Sequence, residues 1–259
     1  MPAASKLIRF ARCARALAPG PGAQLRMLWA LSKNARVAAG VAKHHPDAVY
    51  SLATRLGDVH LRDNFGDVTN LPGLLVENSY RVKKLDRPGE ILDVGANIGL
   101  FAKWIHAHNP ERHIHCFEPL PSNVRLVRLN CPSALVNAVG VGSVRGVVTA
   151  GVDRHSAMAS SVEQPWALDP IQFDVLPLDE YIAAKGVREV AFFKLDTEGM
   201  ELDVLDGAKQ TLAITHTVAM ETHGEARHAA SIERLAAAGF RIDAQQRFGA
   251  VGMVWASRQ

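Results

Sequence analysis

A glycine turn and a later glutamate have the residue types and the spacing of a nucleoside-binding site. The turn reads Asp93-x-Gly95-x-Asn97-x-Gly99 and follows a short apolar run. Its glycines allow a tight turn and the close approach of a ligand. Glu118 comes 23 residues after Gly95, which is about the distance at which a Rossmann-like unit places a carboxylate on a ribose diol. These residues therefore predict a pocket for a nucleoside.

Asn97 indicates which nucleoside the pocket would take. A dinucleotide fingerprint has the order Gly-x-Gly-x-x-Gly, because the pyrophosphate must approach bare backbone at the N-terminus of a helix. Asn97 stands where the second glycine would be, so the ligand should carry no pyrophosphate. S-adenosylmethionine fits better, since it has an unphosphorylated ribose for Glu118 and an ammonium group that Asp93 can face. Asp93 can instead accept hydrogen bonds from the amides of the turn. The alternative to a nucleoside pocket is an ordinary strand-turn-helix corner with a surface glutamate.

Three acids and a histidine follow two later apolar runs. Asp196 and Glu198 come after the run at 191–195, and Glu221 and His223 follow a second run at 217–220. In a doubly wound sheet the ends of adjacent strands meet above the ligand, so these side chains can converge. A hydroxyl acceptor must lose its proton as its oxygen attacks a methyl group, and a carboxylate or an imidazole within hydrogen-bond reach can take that proton. The pattern therefore predicts a catalytic cluster.

The same cluster has two other interpretations. Asp196, Glu221 and His223 could hold a divalent cation such as Mg²⁺ or Mn²⁺ that binds the acceptor oxygen. Alternatively, Asp196 and Glu198 could cap the N-terminus of a following helix, and His223 could be an ordinary surface histidine. The residues alone leave these alternatives open.

Alternating strands and helices must position these residues. Hydrophobic periodicity predicts strands at 90–95, 113–118, 134–140, 189–196, 215–222, 240–245 and 250–256. It predicts helices at 97–108, 121–130, 177–185, 201–213 and 226–238. This alternation indicates an α/β fold with a doubly wound, mostly parallel seven-stranded sheet that binds ligands beyond the carboxyl ends of its strands. Ala138 and Val139 follow the third of these strands and are expected to flank the adenine.

Two regions lie outside the alternation. Residues 48–70 are predicted to form short strands around a turn at 64–67, with a helix at 71–80 after them. Residues 141–172 hold a predicted hairpin at 144–149 and a polar stretch at 156–161. A long insertion beside a site is more often functional than idle.

Charge divides the chain into an N-terminal arm, residues 1–46, and the remainder, residues 47–259. The net charge is +3, but the arm has eight Lys and Arg and no acid, which leaves 21 of the 29 basic residues against all 26 acids. The arm lacks the interleaved aromatic residues of a single-strand nucleic-acid binder. We therefore expect a basic arm over 1–46, one larger domain over 47–259 and no nucleic-acid partner.

Helical periodicity is visible within the arm. Arg9, Arg12 and Arg15 recur every three residues with apolar residues on the other side, which predicts a short basic amphipathic helix over 5–17. A second helix is expected over 23–43. Three interpretations compete: a helical cap that packs on the main domain, which is favoured; adsorption to an anionic membrane surface; and a disordered or targeting segment.

Composition sets the broad class of protein. The 259 residues are 48% hydrophobic, enough for one sizeable core, and no apolar run has membrane-spanning length. Cys13, Cys116 and Cys131 have neither paired nor metal-binding spacing. So sparse and odd a set favours a reducing, cytoplasmic compartment.

A resemblance to a known family rests on these same motifs. The segment at 194–208 resembles the Lys-Ile-Asp-x-Glu-Gly-x-Glu-x-x-x-Leu-x-Gly-Ala signature of the FkbM family of S-adenosylmethionine-dependent methyltransferases. Other segments are similar to that family's cofactor motifs, fifth-strand segment and upstream region, at 93–101, 117–119, 220–223, Asp67 and Tyr80. The resemblance covers roughly 60–255 and leaves the arm outside. It implies a Rossmann-like class I methyltransferase that usually methylates an oxygen of a sugar or a small specialised metabolite.

Two other classes of protein stay open at this point. A nicotinamide-dependent oxidoreductase is disfavoured by the missing glycines. A non-catalytic, membrane-associated protein that keeps the fold is disfavoured by the intact acids at the strand ends.

Overall fold

The computed structural model describes residues 3–153, 158–160 and 169–258. Its helices are α1 (Ala3–Leu17), α2 (Pro21–Leu31), α3 (Lys33–Ala38), α4 (Phe65–Leu75), α5 (Leu100–His108), α6 (Pro121–Asn130), α7 (Leu178–Lys185), α8 (Glu201–Asp206), α9 (Lys209–Ala213) and α10 (Glu225–Ala237). Its strands are β1 (His45–Leu52), β2 (Val59–Asp63), β3 (Glu90–Val94), β4 (Ile114–Phe117), β5 (Leu135–Asn137), β6 (Gly140–Val141), β7 (Gly146–Asp153), β8 (Met158–Ser160), β9 (Asp169–Leu176), β10 (Val190–Leu195), β11 (Thr215–His223), β12 (Arg241–Phe248) and β13 (Val251–Ser257).

Seven of these strands form the main sheet, in the order β12-β13-β11-β10-β3-β4-β5. β10 pairs in parallel with β3 and β11, and β4 pairs in parallel with β3 and β5. β13 is antiparallel to both β11 and β12. Every residue of β10 is buried, as expected for a central parallel strand that is covered on both faces. The predicted α/β fold with a mostly parallel seven-stranded sheet is confirmed.

Two of the predicted helices differ from the observed ones because of backbone geometry. α5 begins at Leu100 and not near 97, since Asn97 and Gly99 have left-handed φ angles of 49° and 79°. The helix predicted over 201–213 is broken into α8 and α9. At the break, a Cβ on Gly207 would lie 2.1 Å from the carbonyl oxygen of Gly142, so this close approach replaces a continuous helix.

The turn predicted at 64–67 is wrong. Asn64 is the N-cap of α4, and its side chain accepts a hydrogen bond of 2.8 Å from the backbone N–H of Asp67. Asn, Gly and Asp favour turns, but Asn and Asp also favour the N-terminus of a helix. α4 ends at Leu75, so the helix predicted over 71–80 is displaced toward the N-terminus.

The insertion forms a second sheet, in the order β6-β9-β7-β8. The hairpin predicted at 144–149 is wrong, because residues 146–153 form the single strand β7, which pairs antiparallel with β9. Within the polar stretch at 156–161, residues 158–160 form β8, and the other three lie outside the described residues.

The arm packs on the main domain through one side of its helices. Its expected second helix is divided at Ser32 into α2 and α3. Buried apolar residues of α1 and α2 join those of β2, α4, α5 and α6 in one hydrophobic cluster, which includes Cys13, Leu17, Met27, Leu31, Leu61, Leu71, Leu100 and Leu126. The proposed boundary between residues 46 and 47 falls inside β1. Across the described residues, we find no helix that is both long and apolar enough to cross a membrane.

Candidate active site

A cleft of about 470 Å³ lies beyond the carboxyl ends of β3, β4, β10 and β11. Residues of both sets singled out in the sequence reach it, although Asp93, Gly99 and His223 are not part of its described lining. Its lining includes Gly95, Asn97, Glu118, Asp196, Glu198 and Glu221. Polar groups from four strand ends therefore share one cavity.

The turn after β3 requires glycine at two positions. Gly95 has a φ of 76°, and a Cβ there would lie 1.7 Å from the carbonyl oxygen of Asp196. Gly99 has a φ of 79°, and its Cβ would lie 3.0 Å from the Cα of Val127. Both positions combine a left-handed backbone with close backbone contact, which only glycine tolerates. The turn is thus held tightly against β10 and α6.

An ammonium group does face Asp93, but it belongs to Lys194. Asp93 is fully buried, and its Oδ1 lies 3.0 Å from Lys194 Nζ, which also donates a hydrogen bond of 2.5 Å to the carbonyl of Gly95. Although burial lowers it, the charges of Asp93 and Asp196 raise the pKa of Lys194 above its usual value. Asp93 therefore stabilises the turn through Lys194. Lys194 had no predicted role, although a lysine inside the apolar run at 191–195 signals a buried partner.

Glu118 lies in the wall of the cleft with a fixed orientation. Its Oε2 accepts a hydrogen bond of 2.8 Å from the N–H of Asn97, and its Oε1 accepts one of 3.0 Å from the N–H of Leu120. The residue is 5% exposed. Burial raises the pKa of its carboxyl to about 7, against the lowering effect of these hydrogen bonds. The side chain of Asn123 also makes a hydrogen bond to this carboxylate, which keeps capacity to accept from a ligand hydroxyl.

The strand-end cluster is organised around His223. The Nδ1 of His223 lies 2.7 Å from Oε1 of Glu201, and its Nε2 lies 3.1 Å from Glu198 and 3.4 Å from Glu221. Glu201 is fully buried and was not predicted to belong to the site. It also accepts a hydrogen bond from the N–H of Gly199, so it fixes the orientation of the imidazole ring.

The charges in this cluster disfavour His223 as a neutral base. Although burial lowers it, hydrogen bonds to Glu201 and Glu221 raise the pKa of His223 to about 11. Burial and the charge of Asp196 raise the pKa of Glu198 to about 7 and also raise that of Glu221. A histidine base of ordinary pKa would give a rise in rate near pH 6–7, which does not fit this environment. The carboxylates are the better proton acceptors.

Three side chains of the cluster have the arrangement of metal ligands. Asp196, Glu221 and His223 each offer one ligand atom, and these atoms all lie within 4.8 Å of one another. This is the set predicted from the sequence. Glu201 holds the far nitrogen of the imidazole ring, as carboxylates commonly do for histidines that bind a metal.

Tyr80 fixes Asp196 from the opposite side. Its hydroxyl donates a hydrogen bond of 2.9 Å to Oδ2 of Asp196, and its ring packs edge-on against Phe101. Burial and the charge of Asp196 raise the pKa of Tyr80 well above its usual value, so Tyr80 stays a donor. Asp67, the other upstream match, lies elsewhere, in a buried ion pair of 2.9 Å with Arg62.

The apolar wall of the cleft lies close to the two residues that are expected to flank the adenine. Ala138 and Val139 are not in the described lining of the cleft, whereas Gly140, Val141 and Phe173 are. A Cβ on Gly140 would lie 2.9 Å from the ring of Phe173, so this ring packs directly on the glycine. Phe173 comes from β9, in the inserted sheet, which the sequence pattern could not connect to the site.

The arm and α4 supply the remaining wall. Arg9 of α1 lines the cleft together with Thr69, Asn70 and Ser79. The guanidinium of Arg9 makes two hydrogen bonds to the carboxylate of Glu77, at 2.6 and 2.7 Å. The N-terminal helix is therefore part of the cavity that it covers.

The fold and the cleft define a Rossmann-like α/β enzyme in which a glycine turn and a cluster of acids line the same cavity. The model of the methyltransferase FkbM domain matches residues 93–242, which is more than half of the chain. The chain belongs to the FkbM methyltransferase family.

Individual relatives and solved structures are more distant. The chain is 25% identical over 158 residues to the 31-O-demethyl-FK506 methyltransferase FkbM of Streptomyces tacrolimicus, covering 48% of this chain and 61% of that protein. It is 26% identical over 160 residues to the 2-O-methyltransferase NoeI of Sinorhizobium fredii, covering 54% and 66%. The chain thus spans less than two thirds of either relative. Among solved structures, Aeropyrum pernix fibrillarin with bound S-adenosyl-L-methionine aligns at 12% identity and a TM-score of 0.44, covering 67% of each chain.

Proposed function

We propose that the protein is an S-adenosylmethionine-dependent O-methyltransferase whose acceptor is a hydroxyl group of a sugar, a glycan or a small specialised metabolite. One observation carries this proposal: the 95–99 turn with Glu118 and the acids Asp196 and Glu221 line the same cleft. A nucleoside side and a proton-accepting side thus lie in one cavity. The names of the two curated relatives, both O-methyltransferases, support the choice of oxygen as the acceptor atom.

The cofactor side is assigned to the turn and Glu118. Gly95 and Asn97 would approach the methionine half, and Glu118 would accept hydrogen bonds from the two ribose hydroxyls. Phe173, with Gly140 and Val141, would form the apolar wall for the adenine. Bound S-adenosylmethionine would supply an activated methyl group, and its lack of phosphate suits a turn that is not a dinucleotide fingerprint.

The acceptor side is assigned to the strand-end acids. Asp196, held by Tyr80, and Glu221 are placed to accept the proton of the acceptor hydroxyl as its oxygen attacks the methyl carbon. Glu198 lies beside them with a carboxyl pKa of about 7, which suits proton transfer near neutral pH. Fixed positions of the two reactants would supply much of the rate increase.

A divalent cation is the second part of the proposal. Asp196, Glu221 and His223 would hold Mg²⁺ or Mn²⁺, with Glu201 orienting the imidazole. Such an ion would bind the acceptor oxygen and ease its deprotonation. Burial, and after it the charge of Asp196, raise the pKa values of Glu198 and Glu221, so a cation that displaced the proton of His223 would compensate these acids.

The test is turnover with S-adenosylmethionine that carries a trideuteromethyl group. The purified protein is incubated with a metabolite extract from a strain that lacks the gene, and products are identified by mass spectrometry. We expect label on oxygen, and a loss of about 10²–10⁴-fold in Asp196→Asn and Glu221→Gln. Asp243→Asn is the matched control, because Asp243 pairs with Arg241 on the surface.

A chelator arm of the same experiment tests the cation. If the ion is required, EDTA stops turnover in the wild type and Mn²⁺ or Mg²⁺ restores it. If turnover survives EDTA, no cation is required, and the carboxylates alone act as the base. Label on nitrogen or carbon, or normal turnover in both acid variants, would contradict the assignment of the cleft.

A further inference from the structure

The outer side of α1 and α2 exposes large apolar side chains. Leu7 and Ile8 are 66% and 62% exposed, and Leu25 and Trp29 are 69% and 60% exposed. Leu25 and Trp29 are four residues apart and therefore lie on one side of α2. The opposite sides of both helices are already buried in the hydrophobic cluster of the arm. Within the described residues these four side chains stay largely exposed, and we call their surface the outer arm face.

Phe65 extends this surface toward α4. It is 56% exposed, and its backbone carbonyl accepts a hydrogen bond of 3.0 Å from the side chain of Asn34 in α3. α3 follows α2 directly, so Phe65 lies next to the end of the outer arm face. Large apolar side chains exposed on neighbouring helices make this surface a candidate interaction site.

The arm itself carries charge of one sign, and two acids from outside it pair with its residues, Glu77 with Arg9 and Asp63 with Lys33. Within the described part of the chain, Arg12, Arg15 and Arg26 take part in no ion pair. The guanidinium of Arg36 stacks on the ring of Trp29 at 4.0 Å. No acid occurs anywhere in residues 1–46. The outer arm face therefore combines apolar anchors with uncompensated positive charge.

We propose that the outer arm face docks on an anionic phospholipid surface. Such a surface offers negative headgroups to the arginines and an apolar layer to Leu25 and Trp29, the two features that interfacial helices use. Charge complementarity favours this occupant over a second copy of the chain, because two copies of a purely basic face would repel each other.

Docking in this way would bring the cleft to the membrane. Arg9 follows Ile8 in α1 and lines the cleft, and Thr69, one turn after Phe65 in α4, lines it too. The same two helices, α1 and α4, thus carry exposed apolar side chains and part of the wall of the cleft. Docking itself does not depend on the proposed methyl transfer, so the two can fail separately.

Co-sedimentation of the full chain with vesicles tests the proposal. Vesicles of phosphatidylcholine with phosphatidylglycerol should carry the protein down at low salt, and vesicles of phosphatidylcholine alone should not. Each basic residue near an anionic surface contributes about fivefold in partitioning, so the triple variant Arg12→Gln, Arg15→Gln, Arg26→Gln should bind about 100-fold less. The double variant Leu25→Ser, Trp29→Ser should bind at least about tenfold less.

Matched variants elsewhere on the surface serve as controls. Val147→Ser with Phe248→Ser removes two apolar side chains of similar exposure, 63% and 66%. Arg125→Gln, Arg128→Gln, Arg188→Gln removes the same charge from exposed sites outside the arm. Both controls should bind as the wild type does, with unchanged melting temperatures in all variants, since every substituted residue is exposed.

Three results would overturn the proposal. The first is no binding to phosphatidylglycerol vesicles at low salt. The second is an equal loss of binding in the arm triple and the control triple, which would reduce the effect to net charge. The third is a smaller oligomer for Leu25→Ser, Trp29→Ser in light scattering, which would make the face an interface between copies of the chain.

Discussion

At the scale of single residues, Glu118 is placed where burial and ligand binding oppose each other. Burial raises the pKa of its carboxyl from 4.5 to about 7, so the empty site favours the protonated form. A ribose diol is best held by the ionised form, which accepts two hydrogen bonds. Binding of the proposed cofactor should therefore release a proton near pH 6–7.

This pKa shift predicts a pH dependence of stability. Between pH 4.5 and 7 the folded state keeps the proton on Glu118, whereas the unfolded state has lost it. The stabilising contribution of this group is therefore complete below pH 4.5 and is lost as the pH rises through 7. The loss is at most about 3 kcal/mol. Urea unfolding of the wild type and of Glu118→Gln at pH 4 and pH 8 measures it. Relative to Glu118→Gln, the wild type should lose about that much free energy of unfolding between pH 4 and pH 8. A difference between the two proteins that does not change with pH would contradict the buried carboxyl.

The sequence predicts residues that act through spacing along the chain better than residues that act through tertiary partners. Gly95, Asn97 and Glu118 were identified because the strand-turn-helix unit fixes their separation. Glu201 was missed because its role depends on His223, which lies on another strand. Ala138 and Val139 were expected beside the adenine from their place after a strand, whereas Gly140, Val141 and Phe173 line the cleft. Phe173 comes from an insertion with no recognisable spacing.

At the scale of elements, α1 decides whether the arm is a cap or a loose tail. Its buried side contributes Cys13, Ala14 and Leu17 to the cluster shared with β2 and α4. Its outer side is exposed, so one helix has one face for the domain and one for solvent or a membrane. A capping role and membrane contact are therefore compatible.

Two leucines of α1 form a matched pair that tests the cap. Leu17 is 4% exposed and Leu7 is 66% exposed. Leu17→Ala should lower the free energy of unfolding by about 2–5 kcal/mol, because it leaves a cavity in a packed cluster. Leu7→Ala should change it by less than about 0.5 kcal/mol. Chemical denaturation measures both, and equal small effects would mean that the helix does not pack as described.

The elements that the sequence predicted poorly are those whose residues serve two structures equally well. Asn64 and Asp67 suit a turn as well as a helix start, and the buried ion pair of Asp67 with Arg62 selects the helix. Gly207 lies at a helix break where the carbonyl of Gly142 leaves no room for a Cβ. Neither contact is visible in local sequence.

At the scale of the whole molecule, the strand order explains why distant motifs meet. From β3 the chain runs outward through β4 and β5, and it then returns to place β10 and β11 on the other side of β3. The order reverses between β3 and β10, and ligands of doubly wound sheets bind at such a point. The backbone after β3 thus touches the backbone after β10, at Gly95 and Asp196. Alternating strands and helices were enough to predict this arrangement, whereas the inserted sheet was not predictable.

We expect the cleft to bind S-adenosylmethionine. Isothermal titration calorimetry with S-adenosylhomocysteine, the product of methyl transfer, tests it most directly, with NAD as the competing ligand. The wild type should bind S-adenosylhomocysteine and not NAD, and Glu118→Ala should lose charge-assisted hydrogen bonds and about 10- to 150-fold in affinity. Glu111→Ala is the control, because Glu111 is a surface residue with a side chain 66% exposed. Binding of NAD, or the same affinity in Glu118→Ala as in the wild type, would contradict the account.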